Sequence, residues 1–132
     1  MKVYLAARYD RREEMKEHRK ALNAAGITVT SRWLDEDEPL DADMWNKEDS
    51  WYIHTSIVDL QDIEDANAVI FFSENPLVGI KRGGRHVEMG YALGREIPVV
   101  VIGGKENVFH YLPIVYHKNS LEQFIQEYHE AY

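Results

Sequence analysis

The run Ala68-Val69-Ile70-Phe71-Phe72 narrows the possible folds of this chain more than any other segment. A strand with one wet face alternates apolar and polar residues. Five apolar residues in succession instead fit a strand covered on both faces, the usual state of a parallel strand. Val99-Val100-Val101-Ile102, closed by Gly103-Gly104, repeats the pattern. Between the two runs, the segment from Gly83 to Gly94 reads as a helix that ends before Ile97-Pro98. Two buried strands joined through a helix form a parallel unit with a right-handed crossover.

The rest of the chain extends this alternation. Residues 2–7 read as a short apolar strand and 10–25 as a helix, with Asp10 as its cap and Glu13 reaching back in a capping box. Gly26 stops that helix, and the β-branched stretch 27–34 is a second strand. Residues 35–43 are acidic, contain Pro39 and lack periodicity, which predicts an exposed loop or lid. From about 44 to 65, Ile53, Ile57, Leu60, Ile63 and Ala66 recur at helical spacing and predict one buried stripe. Gly90 and Gly94, four apart, are expected to pack against the sheet. A short strand near 113–116 and a helix over 120–130 finish the chain. The expected fold is α/β: a single domain over 1–132 with a doubly wound, mostly parallel five-stranded sheet and helices on both faces, of the flavodoxin or Rossmann-like kind.

Composition excludes several chemistries. The 132 residues include no cysteine, which removes disulfides, thiolate ligands and a cysteine nucleophile. A formal net charge of -8 opposes tracking along nucleic-acid phosphates, so the expected partner is a small molecule and not a polymer. No apolar stretch approaches a membrane span, and the opening residues lack a leader pattern, so a cytoplasmic location is expected. The glycine pairs match neither the dinucleotide fingerprint nor the phosphate loop, and no organic cofactor is expected. The six histidines are scattered, and His86-Val87-Glu88 lacks the cysteine partners of a zinc deaminase, so no metal is expected either.

In an open parallel sheet, ligands bind beyond the carboxyl ends of the strands. Glu88 lies in the first turns of a helix preceded by Gly83-Gly84, where the positive helix end favours an ionised carboxylate. It is either a plain complement to the dipole or a nucleophile for an anomeric carbon. Asp59, in the helix before the central strand, is a candidate partner. Two adjacent carboxylates, one attacking and one handling the proton, are the parts of a retaining glycosidase. Their mutual repulsion would hold one of them protonated near neutral pH. Arg8, Arg11 and Arg12 offer a phosphate site beside the first helix, with Arg11 and Arg12 as solvated surface charges the alternative. Trp33, Trp45, Trp51 and Tyr9 are core or lid residues by default, with base stacking as the alternative.

Three segments resemble the nucleoside 2-deoxyribosyltransferase family, which includes 2′-deoxynucleoside 5′-phosphate N-hydrolases. They are Val3-Tyr4-Leu5-Ala6-Ala7-Arg8-Tyr9-Asp10, the Asp59-Leu60-x-x-Ile63-x-x-Ala66 run, and the helix Gly84-x-x-x-Glu88-x-Gly90-Tyr91-Ala92-Leu93-Gly94. The resemblance implies that Glu88 is the nucleophile, that Asp59 handles the proton or contacts the sugar, and that Ala7, Arg8 and Tyr9 lie against the sugar or its 5′ substituent, with Gly84 beside the ligand. It further implies that the segment from Glu106 to Pro113 reaches a neighbouring subunit's pocket through Asn107, with His110 also in the substrate site. At least a homodimer with shared active sites would follow. Asn67, where relatives often carry aspartate, and the longer insert at 76–83 depart from the family pattern. The implied reaction is transfer of deoxyribose between nucleobases through an ester on Glu88. The alternatives are hydrolysis of a deoxynucleoside 5′-monophosphate and nucleotide binding without catalysis.

Overall fold

The two apolar runs form the middle of one five-stranded sheet. The computed structural model describes residues 1–36, 47–75 and 82–131. The strands are β1 (Lys2–Ala6), β2 (Thr28–Val29), β3 (Ala68–Phe72), β4 (Val99–Ile102) and β5 (Val115–Lys118). The helices are α1 (Arg12–Ala24), α2 (Asp49–Glu64), α3 (Gly84–Gly94) and α4 (Leu121–Ala131). The order is β2-β1-β3-β4-β5, and every pairing is parallel, which sharpens the expected mostly parallel sheet. All five β3 residues are buried, as an apolar run without alternation requires. Helices α2 and α3 pack together on the face reached by Tyr4 and Phe71, while α1 and α4 cover the other, where His129 meets the Ala25 carbonyl.

The chain reverses its winding between β1 and β3. One crossover leaves β1 towards β2 and the other leaves β3 towards β4, so the loops after β1 and β3 part and open a crevice. Gly83 shapes one wall. Its φ of 84° lies in the left-handed region and turns the chain directly into α3. Gly103, at φ 107°, closes β4 so near Ser73 that an added Cβ would sit 3.1 Å from the serine's Cβ.

Several local expectations are corrected. The second strand is two residues long instead of spanning 27–34. Beyond Val29 the chain is pulled off the sheet: Thr30 donates to the Asp62 carbonyl, the Arg32 amide donates to the Asp62 carboxylate, and the Trp33 indole donates to the Leu5 carbonyl. A 3-10 turn over Arg32–Asp35 follows. Asp10 does not cap the first helix. It pairs with Arg8 at 2.8 Å, a 3-10 turn occupies Tyr9–Arg11, and α1 begins at Arg12 without a side-chain cap. The last strand is shifted to Val115–Lys118.

The stripe on α2 is only half buried. Ile63 and Ala66 are enclosed, but Ile53 and Ile57 are 59% and 51% exposed. Periodicity fixes which side of a helix is apolar, whereas burial also depends on how far the neighbouring elements extend. Gly90 and Gly94 are likewise exposed, with open space where a Cβ would stand, so they do not contact the sheet. Arg85, Met89 and Ala92 are the buried residues of α3. Among the described residues, no helix is long and apolar enough to cross a membrane. Of the loop expected over 35–43, residues 37–43 lie outside the described residues, as do Trp45, the start expected for α2 near 44, and 76–81 of the insert.

Candidate active site

Tyr4 stands at the centre of β1, and its wholly buried side chain is directed at α3, where its hydroxyl donates to Glu88 Oε2. The strand sets this contact: Tyr4 shares its register with Val69 of β3, beneath the helix that carries Glu88. Asp59 approaches from α2. Its Oδ1 is buried and has no hydrogen-bond partner among the described residues. An orphaned buried carboxylate oxygen calls for a ligand, a water or a proton.

Both acids are held well above their ordinary values. Burial, then the charges of Glu36 and Asp62, push Asp59 up to about 7. Burial lifts Glu88 to about 8 against the lowering effect of the Tyr4 hydrogen bond, and the charge of Asp59 adds to the rise. The coupling between the two carboxyls is mutual, so their protons leave in two steps that belong to the pair. The expectation that helix position keeps Glu88 ionised is therefore corrected. Desolvation outweighs the helix dipole, an effect of only ~0.3–1 kcal/mol at exposed positions. Tyr4 is raised above its ordinary range by burial and by the charge of Glu88, so it remains a donor.

Asp62, one turn on from Asp59, is anchored by the Arg32 amide at 2.9 Å and the Arg32 Nε at 2.8 Å. This anchor fixes the inner face of α2. Ala7 and Arg8 follow β1 at the crevice edge, partly buried. Tyr9 donates to Glu36 at 3.1 Å and receives from Arg12 at 2.7 Å. Gly84 begins α3 and is exposed. Ala7 to Tyr9 thus follow the carboxyl end of β1, and Gly84 opens the helix that carries Glu88.

The arginines differ from a phosphate cluster. Arg12 is buried and bonded to Tyr9, not a solvated surface charge. Arg11 binds Glu14 at 2.6 Å and Glu74 at 2.9 Å, and Arg8 pairs with Asp10. An incoming phosphate would compete with carboxylates already in place.

Asn107 and His110 form a second group at the crevice. Asn107 caps the turn Val108–Tyr111 by accepting from the Phe109 amide, and its Nδ2 is 3.3 Å from His86 Nδ1 of its own chain. His110 is fully enclosed, edge-on to Phe71 with ring centroids 4.8 Å apart, and its Nδ1 accepts from the Glu106 amide at 3.0 Å.

Sequence reasoning passed over Tyr4, Asp62, Glu36 and the buried pair Arg85–Glu106. A signal existed for Tyr4, since it carries the one hydroxyl among the buried residues Val3, Tyr4, Leu5 and Ala6 of that strand. The others depend on pairings between distant segments.

No family profile and no curated sequence matches the chain. Solved structures do match its fold. A 2-deoxyribosyltransferase from Bacillus psychrosaccharolyticus superposes with a TM-score of 0.72 at 19% identity, over 95% of this chain and 90% of that one. The CMP N-glycosidase BcmB of Clostridium botulinum gives 0.58 at 16% identity, covering all of both chains. A conserved protein of Enterococcus faecalis gives 0.58 at 12%, over 100% of this chain and 99% of that one. At these identities, what the chain shares with them is the fold.

Proposed function

We propose that this chain cleaves the N-glycosidic bond of a 2′-deoxyribonucleoside, with Glu88 as the nucleophile and Asp59 as the proton donor. The observation that carries the reading is the group Tyr4, Glu88 and Asp59, two raised carboxyls and a buried phenol beside the crevice between β1 and β3. Between about pH 7 and 8 the pair holds one proton. Of the two singly protonated forms, the reacting one has Glu88 ionised, which the positive charge developing on the sugar favours, and the proton on Asp59, from which the departing base takes it.

A Glu88 oxygen then bonds to C1′, the C1′–N bond breaks, its electron pair leaves with the base, and Asp59 supplies the base's proton. A second base or water attacks C1′ from the vacated side, releases the Glu88 carboxylate and returns a proton to Asp59. Configuration at C1′ is retained. Transfer to a second base is the preferred reading, and it fits a salvage enzyme of the cytoplasm. Ala7, Arg8, Tyr9, Gly84 and Asn107 line the sugar side, with His110 supporting Asn107 from behind.

The test is a panel of deoxynucleosides, ribonucleosides and their 5′-monophosphates, with and without a free base, followed by chromatography of base release and exchange. Base exchange on deoxynucleosides supports the transferase. Release from monophosphates without exchange selects the hydrolase, a reading to which the carboxylate-bound arginines lend no support. No release from any member refutes the enzyme.

Tyr4→Phe removes a hydrogen bond to the charged form of Glu88. Turnover at pH 7 is expected to fall about 10-fold or more, and the alkaline limb of the pH profile, set by Glu88, to move to higher pH. An unchanged limb would separate Tyr4 from the reaction.

A second copy is expected on the outer face of α2 and α3, where Ile53, Ile57 and Val87 are exposed beside Gly90 and Gly94. A contiguous apolar face there would suit association between copies. Val108, Phe109 and Tyr111, which flank Asn107, are also exposed and would face the partner. Sedimentation should show a dimer that Ile57→Asp dissociates. If Asn107 serves the neighbouring site, mixing inactive Glu88→Ala and Asn107→Ala chains restores activity that neither has alone.

A further inference from the structure

The crevice is held together by an ionic path that the reaction itself does not use. Glu106 follows β4, and its side chain is only 8% exposed. Its Oε1 accepts from Arg85 Nη2 at 2.7 Å, and its Oε2 accepts from the Glu74 amide at 3.1 Å. Its own amide donates to His110. One residue therefore joins the loop after β3, the first turn of α3 and the 3-10 turn that carries Asn107. The path continues to the loop after β1, because Glu74 binds Arg11 at 2.9 Å and Arg11 also donates to the Ser73 carbonyl at 3.2 Å.

Arg85 is the other half of the pair, and its side chain is 3% exposed. Its guanidinium lies over the Phe71 ring, 5.1 Å from the centroid, and donates to His86 Nε2 at 2.9 Å. Arg85 precedes Glu88 by three residues on the same helix, so the grip on Arg85 sets the height and rotation of the turn that carries Glu88. A buried ion pair loses hydration on both partners and is often no more stabilising than apolar residues of the same shape. Stability alone is a weak reason for placing one beneath the crevice. Geometry is a stronger one, since a displacement of about 1 Å at a reacting group lowers a rate by about 10²-fold.

We propose that Glu106, acting through Arg85, is a positioning residue that sets where the Glu88 carboxylate meets the anomeric carbon. The proposal rests on Glu88 being the nucleophile. It assigns Glu106 no contact with substrate and no proton to carry. Loss of the pair should lower kcat and leave KM unchanged, because the sugar and base still bind while the attacking oxygen is displaced.

The test compares wild type with Glu106→Gln, which keeps the shape and removes the charge, and with the double variant Arg85→Met/Glu106→Leu, which keeps the core filled without ions. Each folded variant is measured for kcat and KM of base release, and for the titration of the Glu88 carboxyl by NMR of carbon-13-labelled glutamate. The expected result is a kcat lowered by about 10²-fold at unchanged KM, together with a shifted Glu88 titration. The double variant, folded and slow, would separate positioning from stability. Wild-type kcat and wild-type Glu88 titration in either folded variant overturn the proposal, as does a raised KM at unchanged kcat. If wild type releases no base from any substrate, the functional reading falls. The titration then decides the positioning claim alone: a shift supports it and an unchanged midpoint refutes it.

Discussion

Glu88→Ala is expected to abolish base release, with turnover reduced by at least about 10³-fold, the scale seen when a nucleophile is removed from an otherwise intact site. The remaining groups can still bind the nucleoside and protonate the base, but nothing forms the ester at C1′. Two measurements check this. Base release by chromatography should fall to background, and acid-quenched wild type mixed with substrate should show a protein mass raised by one deoxyribosyl ester that Glu88→Ala lacks. Glu88→Gln should behave like the alanine variant, because an amide has the shape but not the nucleophilicity of a carboxylate. Full turnover in either variant would remove Glu88 from the chemistry and leave the Tyr4 contact as a structural hydrogen bond.

The same carboxyl should make the protein less stable as pH rises. Glu88 ordinarily titrates at 4.5 and in the fold at about 8, so the folded chain holds this proton more tightly than the unfolded chain. The resulting stabilisation is complete below about pH 4.5 and is lost as pH rises through about 8. Asp59 acts in the same direction between its ordinary 3.8 and about 7. Denaturant melts from pH 5 to pH 9 should therefore show falling stability, and Glu88→Gln should remove a portion on the order of 3 kcal/mol of that fall. At pH 9 the inactive variant should be the more stable protein. A wild-type curve that stays level over this range would mean that the Glu88 carboxyl is not held above its ordinary value. Activity should peak in the interval where the pair holds one proton, falling below about 7 as both groups become neutral and above about 8 as both ionise.

The fold was legible because its signals are local. Ala68 to Phe72 and Val99 to Ile102 can be satisfied only by cover on both faces, and the structure gives them central places in an all-parallel sheet. The position of Glu88 after Gly83-Gly84 was legible for the same reason, since a left-handed glycine and a helix start are properties of adjacent residues. The short second strand was not. Its end is decided by Asp62, which binds the Arg32 amide from thirty residues away in sequence. Ile53 and Ile57 obey the helical period and still remain exposed, because periodicity contains nothing about where a partner surface stops.

The sequence by itself determined the alternation of strands and helices and the parallel character of the sheet, and it singled out Glu88 and Asp59 as candidates. Hydrophobic period and turn chemistry act over a few residues and survive without knowledge of the rest of the chain. The tertiary structure alone decided the protonation of those carboxylates. Desolvation and charge coupling depend on what surrounds an atom, and Tyr4, Asp59 and Glu88 come from three separate elements. Burial there overrode the helix dipole and turned an expected carboxylate into a group that holds its proton to about pH 8.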